Sequence, residues 1–299
     1  MNRSGRAGNG FPPRDNPSRE PGQRGDLWCG PLLARFPVHG ILTGMADPDS
    51  LAPEERFSNR VENYVRYRPG YPPEILDLLK DQVGLGKGAV VADVGSGTGI
   101  SSEWLLKRGA VVFGVEPNRE MREAAERLLA GYPDFHSVDG KASATTLGPE
   151  SMDFILAAQA FHWFGTPETR SEFSRILKPG GHLVLMWNER KLEATPFLRD
   201  YEALLQDFGT DYAAVRHELV NADVLGRFFM GDYATHTFQN RQRFDFESLK
   251  GRLLSSSYAP AEGHPRHEPM VTELRRIFDR HQANGQVVLE YHTQLHLGH

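Results

Sequence analysis

From residue 70 onward the chain alternates short apolar runs with amphipathic stretches. Pro72 and Pro73 open a helix that places Ile75, Leu76, Leu78 and Leu79 together, and Gly84, Gly86 and Gly88 close it. Ala89–Val94 is an apolar run bounded by glycine, the pattern of a strand buried on both faces. Ala110–Val115, Phe135–Val138, Met152–Ala158 and His182–Trp187 repeat it. Between them lie helical stretches at Ser101–Lys107, Asn118–Ala130 and Glu168–Leu177; the second carries Met121, Ala124, Ala125 and Leu128 on one face, and the third runs into Lys178-Pro179-Gly180-Gly181. Five strands separated by helices or longer connections predict a parallel sheet with helices on both faces. Residues 195–230 read as helical, with Phe197, Leu198, Tyr201, Leu204 and Leu205 at helical spacing. Thr235–Phe238 and Gln286–Leu297 alternate as strands, and Leu249–Leu254 and Leu274–His281 read as helices. The last strands are expected to complete a seven-stranded α/β sheet as an antiparallel edge pair. There is no internal repeat.

Composition adjusts this picture at the N-terminal end. Residues 1–44 hold six Pro and eight Gly, with six Arg against three acids. So few apolar residues do not offset ordering entropy, so disorder is expected there, and the folded domain is placed at 45–299. A basic targeting arm, a linker and a leader read through from upstream of Met45 remain open for the segment. Deleting it is expected to leave the fold intact. Over all 299 residues, 34 Lys and Arg against 39 Asp and Glu leave a net charge of −5, which argues against a nucleic-acid-coating protein. Cys29 is the single cysteine, so no intrachain disulfide and no cysteine-based metal centre can form. This fits a reducing, cytoplasmic setting. The densest apolar run, Leu183–Trp187, is far short of a membrane span.

The chemistry concentrates in Asp93-Val94-Gly95-Ser96-Gly97-Thr98-Gly99, at a strand-to-helix junction. Glycines there let the backbone turn sharply and let a ligand approach closely. A dinucleotide fingerprint would need its third glycine at position 100, which is Ile100. The spacing present, with Asp93 two residues upstream of Gly95, resembles motif I of class I S-adenosylmethionine-dependent methyltransferases. Glu116, 17 residues after Gly99, closes the second strand, where a carboxylate can accept hydrogen bonds from ribose hydroxyls. A nicotinamide site uses an acid at a similar place, so Glu116 alone does not separate the two. Asp153–Phe164 and Tyr67–Pro72 are similar to segments of a bacterial and fungal subset that includes trans-aconitate methyltransferase-like proteins. The resemblance covers most of residues 64–190, leaving 191–299 for substrate-side helices and edge strands.

What the resemblance implies is a Rossmann-like, mostly parallel sheet and S-adenosyl-L-methionine as cofactor. Its pocket would be built from Tyr67, Arg68, Asp93, Gly95, Ser96, Gly97, Gly99, Glu116, Met121, Ala142, Ser143 and Gln159. Ser143 stands where the family often has an acid beside the adenine. Tyr64, Tyr67 and Arg68 are expected to form a lid, with the Arg68 guanidinium on the cofactor carboxylate and the tyrosine rings toward the sulfonium. His162 is a candidate general base or a packed structural histidine, and Trp163 beside it is a wall. Tyr258 is a second candidate for substrate contact. Arg190 either holds an acidic substrate group or is solvated. His292 and His296 fall on one strand face, but no acids accompany them and no metal is expected. The partner expected is a small-molecule methyl acceptor, with a carboxylic acid or a hydroxyl as the candidate acceptor group, without nucleic acid or membrane, for a monomer or homodimer. A nicotinamide-linked oxidoreductase and a non-catalytic S-adenosylmethionine-binding regulator are the rival readings.

Overall fold

The structure, a computed structural model, describes residues 61–212, 222–229 and 231–299. The expectations for residues 1–44, for the domain start at 45 and for 213–221 lie outside the described residues. Seven strands form one sheet: β1 (Val90–Val94), β2 (Val111–Val115), β3 (Phe135–Val138), β4 (Met152–Ala158), β5 (Leu177–Arg190), β6 (Tyr233–Phe244) and β7 (Val287–Gly298). Their order is β3-β2-β1-β4-β5-β7-β6. The first five run parallel, and β7 runs antiparallel to both β5 and β6. The antiparallel pair sits at the edge, and within it the last strand in sequence is the inner one.

The continuous apolar runs follow from burial on both faces. On β4, Phe154, Leu156 and Ala158 join one cluster, and Ile155 and Ala157 join the other. The first layer is capped by α2 (Glu74–Val83) and α3 (Ile100–Leu106), through Ile75, Leu76, Leu79 and Leu105. The second is capped by α5 (Pro167–Ile176) and α7 (Ala222–Phe228), through Phe173, Ile176, Leu225 and Phe228. A third cluster gathers α6 (Pro196–Phe208), α8 (Phe246–Leu254) and α9 (His267–His281) over the far ends of β6 and β7. Helix starts follow local chemistry. Thr166 and Thr195 accept from the backbone N–H three residues on, each ahead of a proline in the first turn. Asn118 caps α4 (Arg119–Leu128) in the same way.

Three elements are longer than their patterns predict. β5 starts at Leu177 and carries the Lys178–Gly181 turn within it, with a register shift against β4 between Met152 and Phe154. β6 extends to Phe244 although Gln239–Arg243 is polar, because those residues pair rung by rung with β7. Thr237 Oγ1 donates to Gln294 Oε1 at 2.8 Å on that ladder. α9 begins at His267, seven residues early, with Pro269 in the first turn, where no backbone donor is needed. The histidines of β7 belong to the same ladder: His296 faces Thr235 at 2.9 Å and His292 faces Gln239 at 3.3 Å. Among the described residues no helix is long and apolar enough to cross a membrane.

Before the first strand, α1 (Val61–Tyr67) packs on α8, with the Tyr67 ring against Gly251. A Cβ at Gly251 would stand 2.1 Å from the ring. Gly251→Ala is therefore expected to lower stability by about 1–3 kcal/mol, the usual cost of overpacking. Thermal unfolding of the variant checks this, and an unchanged melting temperature would show that α1 does not depend on that contact.

Candidate functional site

The strand order reverses between the parallel strands β1 and β4, and the crevice at their carboxyl ends is where an open α/β sheet binds ligands. The glycine loop fills it. Gly95, Gly97 and Gly99 have φ of 71°, 55° and 87°, a region that L side chains rarely adopt. At Gly95 and Gly99 space is also closed, since an added Cβ would meet Ala160 at 2.6 Å and Leu129 at 2.7 Å. The N–H groups of Gly95 and Ser96 both donate to Val115 O, at 2.8 and 3.3 Å, which ties the loop to β2.

This turn delivers the first residues of α3 onto Asp93. Asp93 is fully buried, and its Oδ2 accepts from Ser101 Oγ at 2.8 Å and Ser102 Oγ at 2.6 Å. Its Oδ1 is buried with no hydrogen-bond partner. Burial pushes the Asp93 carboxyl up to about 6, against the two serine hydroxyls that lower it. Glu116, at the tip of β2, clasps the loop from the other side. Its Oε2 accepts from Gly97 N at 3.0 Å and its Oε1 from Asn118 N at 2.9 Å. Burial raises its pKa as well, opposed by those two backbone donors.

A pocket opens beside the loop, lined by Tyr64, Arg68, Pro69, Tyr71, Gly95, Ser96, Ile100, Ser101, Ala158 and Gln159. Arg68 lies over the Tyr64 ring at 4.7 Å and donates through Nη2 to Ser255 O at 2.9 Å, and its buried Nε has no partner. The segment that carries Arg68 is tied down. Gly70 O accepts from Asn188 Nδ2 at 3.2 Å and Asn240 Nδ2 at 2.9 Å, and Tyr67 O accepts from Gln242 Nε2 at 3.2 Å. The expected lid is, in this structure, a wall pinned to β5 and β6. Gln159 closes β4 with φ of 62°, a strained value for a non-glycine residue. Its N–H donates to Met186 O at 2.8 Å, which turns the side chain toward the pocket rim.

The structure thus brings together Arg68, Gly95, Ser96 and Gln159 as lining, with Asp93, Gly97 and Glu116 directly behind the loop. It does not bring the other candidates to this pocket. Tyr67 packs on α8, and Tyr64 and Tyr71 line the wall instead. Met121 is buried on α4 with its N–H on the Asn118 cap. Ala142 packs in the apolar layer with Val94 and Val115, and Ser143 is exposed. His162 lies in a short 3-10 turn (Phe161–Trp163), its ring 4.7 Å from Trp163, outside the lining. Tyr258 sits in a separate cluster, edge-on to Tyr212 at 4.8 Å. Arg190 is not solvated: it donates to Glu202 and, at 3.0 Å, to Tyr212 Oη. Tyr71, Ile100 and Ser101 were missed, although all three stand inside or beside segments that the sequence marks.

Two Schizosaccharomyces pombe proteins, an uncharacterized methyltransferase and an uncharacterized methyltransferase-like protein, are 29% and 30% identical to this chain. The matches cover 77% and 79% of it and 91% and 92% of the yeast proteins. The chain belongs to the methyltransferase family. Residues 92–185 match the family described as a methyltransferase domain, which spans β1 to β5 and the whole glycine loop. An uncharacterized methyltransferase of Mycobacterium tuberculosis is 38% identical over 134 residues, which are 45% of this chain. The match spans about half, 52%, of the mycobacterial relative's length. In fold, this methyltransferase-family chain is similar to a solved Anaeromyxobacter dehalogenans protein provisionally assigned as a type II methyltransferase. That likeness has a TM-score of 0.58 at 19% identity over 78% of this chain and 97% of the other.

A carboxyl whose pKa is raised from 3.8 to about 6 on folding binds protons more tightly in the folded state. Folding is then favoured below that range, and the contribution is lost as pH rises through 6. Asp93→Asn is expected to stabilise the ligand-free protein at pH 8 by about 1–3 kcal/mol, and the gain should shrink toward pH 5. Calorimetric melting at both values checks the sign; a gain that grows on acidification would contradict it.

Proposed function

We propose that this protein transfers a methyl group from S-adenosyl-L-methionine to a small-molecule acceptor. The observation that carries this reading is a guanidinium with a bare N–H in the pocket wall, Arg68 Nε, together with a carboxylate with a bare oxygen directly behind the glycine loop that lines the same pocket, Asp93 Oδ1. An amino-acid zwitterion presents the complementary charges. Asp93 would take the ammonium and Arg68 the carboxylate, as charge-assisted hydrogen bonds. Each oxygen of Glu116 has one backbone N–H and keeps a second lone pair, which suits two ribose hydroxyls. Thr98 Oγ1 is a further buried polar atom without a partner beside the loop. The loop spacing and Ile100 disfavour a pyrophosphate ligand.

When bound, the cofactor supplies a methyl on a sulfonium, activated for in-line displacement. The residues of this chain bind, orient and exclude water. Tyr64 and Tyr71 present aromatic faces to the cationic centre, and Gln159 closes the rim above β4. A proton acceptor is required only for an acceptor that is not already ionised.

Calorimetric titration of the full chain with S-adenosylmethionine, S-adenosylhomocysteine and NADH tests the reading. The first two should bind and the third should not; the reverse pattern would overturn it. Arg68→Ala should weaken the sulfonium ligand roughly tenfold, the worth of one charge-assisted contact. If unchanged affinity is measured, Arg68 leaves the site. Because Asp93 is ionised only above about 6, affinity for S-adenosylhomocysteine should decline as pH falls through that value. In Asp93→Asn the affinity should be weaker and this pH dependence lost.

A further inference from the structure

Next to the pocket, on the side of α6 and α8, lies a second cluster of buried cations. Arg252 on α8 is 8% exposed; its Nη1 donates to Ser256 Oγ at 3.1 Å, its side chain also bonds Tyr291, and its Nε has no partner. Arg190, at the end of β5, has a side chain 10% exposed; its Nη2 bonds Glu202 and Tyr212, and its Nη1 has no partner. The two flank the same aromatic wall, in which Arg190 lies over the Tyr201 ring at 5.1 Å. Both also sense Tyr201 and Tyr258 electrostatically. Arg68 connects this cluster to the pocket. It donates to Ser255 O, one residue from the Ser256 hydroxyl that accepts from Arg252 Nη1, so the two guanidinium groups are held by one turn at the end of α8. Burial, followed by the Arg252 charge, lowers the Arg68 pKa.

The balance of charge is the informative feature. Among the described residues Arg190 alone of the three arginines has a carboxylate partner, Glu202, and the bonds of Arg68 and Arg252 go to Ser255 O, Ser256 Oγ and Tyr291. A buried cation without a counter-ion carries a desolvation penalty of about several kcal/mol, and adjacent like charges add to it. A structural arginine in a core is paired. Here Arg190 Nη1 and Arg252 Nε are buried without a partner, and Tyr201 and Tyr258 stand near both side chains, an arrangement that an oxyanion completes.

We propose that Arg252 and Arg190, walled by Tyr201, Tyr258 and Tyr291, form a subsite for an oxyanion, carboxylate or phosphate, carried by the methyl acceptor. The inference rests on the methyltransferase reading and deepens it. With Arg68 committed to the cofactor carboxylate, Arg252 keeps the uncompensated charge, and Arg190, already paired with Glu202, adds the free Nη1 donor. The subsite then holds the acceptor by an end that is not methylated, or by the very carboxylate that is.

The test uses the full chain saturated with S-adenosylhomocysteine at fixed ionic strength. Benzoate, citrate and glycerol 3-phosphate are the anionic probes, and benzamide and glycerol the neutral ones. Binding is read by calorimetry and by the shift in melting temperature. At least one anion should bind and raise the melting temperature, and the neutral probes should not; the carboxylate and phosphate arms tell which oxyanion is preferred. Arg252→Gln should weaken the anion by roughly tenfold or more without altering the affinity for S-adenosylhomocysteine. Arg252→Lys, which keeps the charge and loses the fork, should fall between. Silence of all three anions, equal binding of neutral probes, or full anion affinity in Arg252→Gln would overturn the proposal. If the glutamine variant does not fold, the contrast between anionic and neutral probes on the wild type still decides. Anion silence with S-adenosylhomocysteine bound sinks the subsite alone, whereas failure of S-adenosylhomocysteine to bind the wild type sinks both readings.

Discussion

A carboxylate buried under a glycine turn, with one oxygen held by two serine hydroxyls and the other bare, is the constraint around which the rest of this molecule is arranged. Asp93 can stay in the core only because α3 begins where its Ser101 and Ser102 reach back to Oδ2. That start is possible only because three consecutive alternate positions take left-handed backbone. The turn in turn is fixed to β2 by Val115 O and by the Glu116 carboxylate on Gly97 N. Strand, turn, helix and neighbouring strand form one closed set of bonds, with Asp93 Oδ1 left without a hydrogen-bond partner.

The opposite wall is built from far away. Arg68 owes its place to Tyr67 and Gly70, whose carbonyls are held by side chains of β5 and β6. Asn188 is central there: its Oδ1 accepts from Thr293 Oγ1 at 2.6 Å and Asn240 Nδ2 at 3.0 Å while its Nδ2 holds Gly70. A buried amide with donors and acceptors all matched sets position more firmly than apolar contact would.

How much of this the sequence carries depends on range. The five parallel strands and the glycine loop are local patterns, and Asp93 and Glu116 are legible because a strand end fixes where a carboxylate must stand. Arg68 is legible from the short segment around it, but which tyrosine accompanies it is not. Helical phase sends Tyr67 to α8 and leaves Tyr64 in the pocket, and that phase depends on how α1 docks, while Tyr71 reaches the pocket from the segment after α1. The polar half of β6 reads as loop because its reason to be extended is a partner strand some fifty residues on. Arg68, Arg190 and Arg252 lie on three separate elements, and no spacing rule joins them. Tyr258 was named for substrate contact from its loop, and its surroundings are visible only once α6 and β5 converge on it.

The inner place of β7 has a consequence for how the chain comes together during synthesis. β5 emerges with one edge bare and finds its partner only after roughly a hundred more residues, once β7 leaves the ribosome. The bonds from Asn188 and Asn240 to Gly70 span 118 and 170 positions. The nascent chain can therefore close the glycine turn early, while the wall bearing Arg68 locks only after β6 is made. The pocket wall that carries Arg68 is therefore among the last parts of the molecule to form, since its contacts are distant in sequence.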